Sequence, residues 1–193
     1  LGLLAQEFGQ LMYSYYIYFL KIEVPYPSIG DVGYFGSVIL YILGAISLAK
    51  ASGVALRFKS LRHVVPAIGV TFAILGLGYY LFLSGYTFDW TVPIRVFLDF
   101  GYPLGEAIYI SIAIATYILS KGVLGGIMKS TILFIIVALS MQFLADYTFL
   151  YQASRETWYA GGINDYMYLF SYFLMTIGFL RFGTIYKKLK DGN

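Results

Sequence analysis

The chain has no cysteine and a single histidine, His63, in 193 residues. The first absence excludes disulfide-exchange oxidoreductases, thiolate metal sites and covalent haem attachment. The second excludes bis-histidine haem ligation and multi-histidine metal centres. His63 follows Arg62 and is expected to be a solvated loop residue. Charge is scarce too: Asp, Glu, Lys and Arg make up 12% of the chain, about half the ~25% usual in soluble domains. No lysine falls inside a long apolar run, which removes a retinal Schiff base. There is no G-x-S-x-G elbow, H-E-x-x-H pair or Walker loop. These gaps predict a non-enzymatic chain without metal or cofactor.

What is abundant is apolar surface. Hydrophobic residues are 60% of the chain and the mean hydropathy is +0.75. A hydrocarbon layer of ~30 Å takes ~20 apolar residues per helix. Runs of that size occupy roughly 1–20, 33–50, 64–84, 97–120, 131–151 and 163–182. The fold class expected is all-α: a single integral membrane domain over 1–193, with six transmembrane helices. They pair as hairpins over about 1–50, 64–120 and 131–182, and a basic cytoplasmic tail follows at 183–193. The opening LGLLAQEF carries no charged leader and reads as a chain already inside a helix, so a seventh helix is expected upstream.

Ten of the thirteen Lys and Arg residues fall in three places: Lys50, Arg57, Lys59 and Arg62; Lys121 and Lys129; Arg181, Lys187, Lys188 and Lys190. If six helices alternate, all ten lie on one side, which the positive-inside rule makes cytoplasmic. Both ends of the chain are then cytoplasmic, in a multi-pass membrane protein. The net charge of +3 is therefore no sign of nucleic-acid binding. Trp90 and Trp158 fall in outer connections, where their rings suit the headgroup layer.

The outward-to-inward helices share a pattern. Asp31–Tyr34–Ser37 is D-x-x-Y-x-x-S, Asp165–Tyr168–Ser171 repeats it, and Asp99–Tyr102–Gly105 gives a copy with Gly for Ser. Tyr is 20 of 193 residues, so three such pairings by chance are rare. A fainter echo in the partner helices sets Gln10 and Ser14 against Gln142 and Asp146. Three helical hairpins follow as the expected architecture. Small residues at Ser37, Gly44, Gly105, Ser171 and Gly178 are expected to let helices approach closely. Ser28 and Asp31 have capping-box spacing, after two prolines that stop the incoming chain. Asp99 and Asp165 are expected near their own helix starts, and Pro103 is expected to bend the fourth helix.

Three carboxyls lie deeper: Glu7, Glu106 and Asp146. An acid at the centre of a lipid-facing helix costs ~2.5–3.5 kcal/mol on insertion scales, so such groups turn into the bundle. With the amides of Gln6, Gln10 and Gln142 they suggest an outward-opening polar pocket, its carboxyls neutral or tightly hydrogen-bonded. Glu7, Gln10, Glu106, Gln142 and Asp146 are the ligand-binding candidates; interhelical pairing is the plainer reading of the same residues.

The run YYIYFLKIEVPYPSIGDVGYFGSVILYILG resembles the multi-helix membrane region N-terminal to prokaryotic signalling proteins, such as GGDEF-type diguanylate cyclases and PAS-linked histidine kinases. Those regions carry P-[FY]-P-S-x-x-D-x-x-Y, matched here by residues 25–34. DFGYPLGEAI (99–108) is similar to their YP-x-x-D segment, and DYMYLFSY (165–172) to their last hairpin. The resemblance implies a sensory input role in a prokaryotic plasma membrane, with signals leaving through the last helix toward an output domain expected beyond YKKLKDGN, unless the chain acts as a stand-alone membrane subunit. Partners implied are the lipid bilayer, a cytoplasmic output domain or other membrane subunits, and a second copy in a homo-oligomer. Two other functions fit the composition: an accessory subunit of a larger membrane complex, and a small transporter or channel.

Overall fold

The computed structural model describes residues 1–52, 61–120 and 126–191, and all regular structure among them is helical. Helix α1 covers Gly2–Ser14 and runs on as a π-helical turn, Tyr15–Leu20. It ends where Lys21 takes a left-handed conformation, φ 54°. The other helices are α2 (Ile29–Ala51), α3 (Leu61–Gly78, prolonged by a π-helical turn over Tyr79–Leu83), α4 (Pro93–Ser120), α5 (Gly126–Ser154) and α6 (Ile163–Asp191).

The apolar runs set where helices form, and local chemistry sets where they start. Helix α2 begins ahead of its apolar run because Ser28 and Asp31 close a capping box. Helix α4 begins at Pro93, a residue whose fixed φ suits the first helical position and whose missing N–H costs nothing there. Pro103 lies inside the continuous α4 and Pro66 inside α3.

Among the described residues, four helices are long and apolar enough to cross a membrane. They are Ile29–Ala51, Val64–Leu83, Pro93–Leu119 and Ser130–Ser154, with mean hydropathies of 1.9, 1.8, 1.4 and 1.8. The sequence predicts six. Helix α1 is short as an α-helix, at 13 residues. In α6, Asn164, Asp165 and a series of tyrosines dilute the apolar run.

Consecutive helices pack as α1 on α2, α3 on α4 and α5 on α6, while α4 also packs on α2 and α5. Helices α4 and α5 form the middle: 61% and 56% of their most apolar windows are buried, against 33% for α2 and 11% for α3. The core joins Tyr41, Tyr109, Ile110, Ile132, Leu139 and Met175. Two glycines set close approaches. A Cβ on Gly33 would lie 2.5 Å from the Ala5 carbonyl oxygen and 2.6 Å from the Gly9 nitrogen, so α1 and α2 meet backbone to backbone there. A Cβ on Gly105 would lie 2.5 Å from Val38 of α2. Gly44 does not pack in this way: it is exposed and faces open space.

Candidate functional site

The connections 21–28 and 84–92 meet over the first turns of α2 and α4. Asp31 accepts hydrogen bonds on one carboxyl oxygen from the Ser28 backbone N–H (2.6 Å) and the Ser28 hydroxyl (3.0 Å). Its other oxygen accepts the Tyr102 hydroxyl of α4 at 2.8 Å. The cap of one helix thereby ties it to another. Asp165 sits at the corresponding place in α6 and accepts the Gly161 N–H at 2.6 Å.

Asp99 departs from the expected placement. Because α4 starts at Pro93, Asp99 lies inside the helix and caps nothing. It instead accepts the hydroxyls of Tyr26 (2.7 Å) and Tyr86 (2.6 Å), clamping the two connections together. The bond to Asp99, with a smaller contribution from burial, pushes the Tyr86 phenol up to about 12. Burial first, and then the same carboxylate, push Tyr26 up as well.

Deeper in the bundle, a second set of polar contacts joins helices in pairs. Between α1 and α2, Ser37 donates to Gln6 at 2.5 Å and Tyr34 donates to Gln10 at 2.9 Å. Between α5 and α6, Ser171 donates to Gln142 at 2.8 Å, and the Tyr168 hydroxyl bonds the Asp146 carboxyl. Gln6 and Gln10 thus correspond to Gln142 and Asp146. This differs by one helical turn from the expected match of Gln10 with Gln142, because the hydroxyl partners, and not the sequence echo, set the register.

The interior site is built on α4, α5 and α6. Asp146 accepts the Gln142 amide at 2.9 Å and the Tyr109 hydroxyl at 3.1 Å, and is 7% exposed. Glu106 of α4 lies within electrostatic range of Asp146, is 3% exposed, and its Oε2 has no hydrogen-bond partner. The carboxyls of Glu106 and Asp146 are surrounded by Tyr109, Tyr147 and Tyr168. Tyr147 spans from α5 to the Pro103 carbonyl at 3.0 Å, in a gap that Gly78 of α3 leaves open. Tyr41 of α2 packs edge-on against the Tyr109 ring, at 5.7 Å between centroids, and its hydroxyl is buried without a partner.

The five candidate residues therefore divide. Glu106, Gln142 and Asp146 come together, whereas Glu7 and Gln10 are exposed on α1 and belong to no pocket with them. The carboxyl pair is enclosed by the bundle, and not set in a pocket opening outward. A shallow apolar depression lies elsewhere, lined by Phe88, Trp90, Pro93, Phe97 and Phe100 on the outside of α4. Trp90 stacks on Phe88 there, and Trp158 meets Phe149 edge-on. Tyr41 and Tyr109 carry weight that the sequence reading missed, and Ser171, expected there as a small packing residue, also donates to Gln142. Tyr109 stands three residues after Glu106, on the same helix face, and that spacing was the available signal. Arg57, Lys59 and Lys121 lie outside the described residues, as do the side chains of Arg62, His63, Lys129, Lys188 and Lys190. No protein-family model, curated protein or solved structure matches the chain.

Proposed function

We propose that the chain is a non-enzymatic, multi-pass input module of a prokaryotic plasma membrane, in which changes at the carboxyl centre are passed along α6 to its basic end. In this reading six helices cross the bilayer as three hairpins. The helix ends nearest Asp31, Asp99 and Asp165 face outward, and the Lys- and Arg-rich ends face the cytoplasm. The equivalent Ser37–Gln6 and Ser171–Gln142 bonds support a relation between the first and last hairpins. The resemblance to membrane regions of diguanylate cyclases and histidine kinases supports the same role.

One observation carries the reading. Helix α6 is continuous over 29 residues, about 43 Å at ~1.5 Å per residue against a ~30 Å apolar layer. Near one end it presents Tyr168 and Ser171 to the carboxyl centre, and the other end runs on into Lys187 and Asp191. A shift of the helix at the centre is then a shift of its projecting end, since a helix transmits displacement along its axis as a rigid element.

The test uses the absence of native cysteine. Spin labels at Lys50→Cys and Lys187→Cys, in nanodiscs, report the distance between the α2 and α6 ends as pH and sodium are varied. The proposal expects a second distance population that Asp146→Asn removes. A distance distribution unchanged under every condition would refute it. The transporter reading rests on the same carboxyls and predicts ion flux in proteoliposomes, lost in Glu106→Gln. The accessory reading predicts stoichiometric co-purification with other membrane subunits.

A further inference from the structure

The polar groups at the α4–α5–α6 junction do not balance. Asp146 is satisfied: Gln142 and Tyr109 donate to it, and Tyr168 bonds it. Glu106, beside it, is buried with Oε2 unmatched. One further group faces the same region without a partner. The Tyr41 hydroxyl, on a residue 6% exposed, is buried unmatched and lies within electrostatic range of Asp146. A buried polar group without a partner is uncommon in native proteins and points to something that meets it. Here a carboxyl oxygen of α4 and a hydroxyl of α2 are left unmatched at one carboxyl pair.

Charge supplies the second half of the argument. The groups acting on the pair are Tyr109 from α4, Gln142 and Tyr147 from α5, Tyr168 and Tyr172 from α6, and Tyr41 from α2. None is basic, and among the described residues no Lys, Arg or His acts on either carboxyl. Two carboxylates sharing an interior site without a counter-charge repel each other and lose hydration together. One positive charge between them relieves the repulsion and lowers the buried net charge from −2 to −1.

We infer that the Glu106–Asp146 centre binds a single positive charge, a proton or a small monovalent cation, held by Glu106 and Asp146 and completed by the Tyr41 hydroxyl oxygen. A divalent ion does not suit the site. Hard divalent cations take about six or more oxygens, while among the described residues no third carboxyl converges there. This inference deepens the input reading and gives its carboxyl centre a ligand, but binding is tested here without reference to the motion of α6.

The experiment is infrared difference spectroscopy on the full chain in proteoliposomes, wild type minus Glu106→Gln, with sodium or choline as the only cation. If a proton is the charge, a protonated-carboxyl stretch is present at neutral pH, disappears in Glu106→Gln and does not respond to sodium. If a small cation is the charge, that stretch grows when choline replaces sodium, and radioactive sodium binds to one equivalent per chain. Asp146→Asn removes sodium binding and serves as the second variant should Glu106→Gln fail to fold, with far-ultraviolet circular dichroism reporting folding. Absence of both the protonated carboxyl and any sodium dependence would overturn the inference. A bound charge together with an unmoved α6 end would leave it standing and refute the input reading.

Discussion

The pair α1–α2 and the pair α5–α6 use the same two bonds with different consequences. In each, a serine hydroxyl reaches a glutamine carbonyl across the helix interface, and a tyrosine one turn earlier reaches the group one turn on from that glutamine. In the first pair that group is Gln10, an exposed amide; in the second it is Asp146, a buried carboxyl beside Glu106. Burial accounts for the divergence. Among the described residues helix α1 packs mainly against α2 and its own π-helical turn, whereas α5 packs against both α4 and α6. The peripheral pair has a neutral clip, and the central pair has the same clip with an ionisable group enclosed by the bundle.

This contrast can be broken at several points, and the largest effect is expected at Gln142. Replacing Gln142 with Ala strands Asp146 Oδ1 and the Ser171 hydroxyl together, at ~1–3 kcal/mol for each buried group left unsatisfied. Gln6→Ala strands only Ser37, whose hydroxyl also donates to the Tyr34 carbonyl at 2.7 Å. It should cost no more than ~1.7 kcal/mol, the upper range for interhelical bonds in bilayers. Reversible unfolding in mixed micelles measures both, and equal losses would mean that the two clips are energetically alike.

The next effect in size is steric. Gly33→Val drives a side chain into the Ala5 carbonyl and the Gly9 nitrogen and should cost ~1–3 kcal/mol, loosening α1 from α2. Gly44→Val, facing open space, should stay within ~0.5 kcal/mol. The same unfolding assay separates them, and a neutral Gly33→Val would show that the first pair is not closely packed.

The smallest effect lies at the connection clamp. Tyr86 donates to Asp99, and its phenol is raised to about 12 from 10.0. A raised folded value means that the bond stabilises fully below the unfolded value and is lost as pH climbs through about 12. The stability difference between wild type and Tyr86→Phe should therefore hold constant up to about pH 10 and close above that. A difference that persists in strong alkali would assign the effect to ring packing on Phe88 and Phe100.

How much of this was legible depends on the range of the interaction. Hydropathy placed all six helices, and the Ser28–Asp31 spacing announced a capping box that the structure contains. Asp99 misled because its pattern copies Asp31 in sequence, while Pro93 starts α4 early and moves the residue off the helix end. Glu7 misled because its depth resembles that of Glu106, but it stands on the exposed face of a helix packed mainly on α2, and its side chain turns away from the interior. The coming together of Glu106 with Asp146, and of Tyr41 with Tyr109, follows from how α2, α4 and α5 pack. No spacing within one helix encodes that.

Whether the carboxyl centre lies within a bilayer depends on α1 and α6 crossing beside the four more apolar helices. Impermeant maleimide labelling of single cysteines in intact cells decides it, with Thr87 and Tyr159 probing one end of the bundle and Lys50 and Lys187 the other. The account predicts modification at Thr87 and Tyr159, and protection at Lys50 and Lys187 until the membrane is permeabilised. Labelling of Lys187 together with Thr87 in unbroken cells would contradict it.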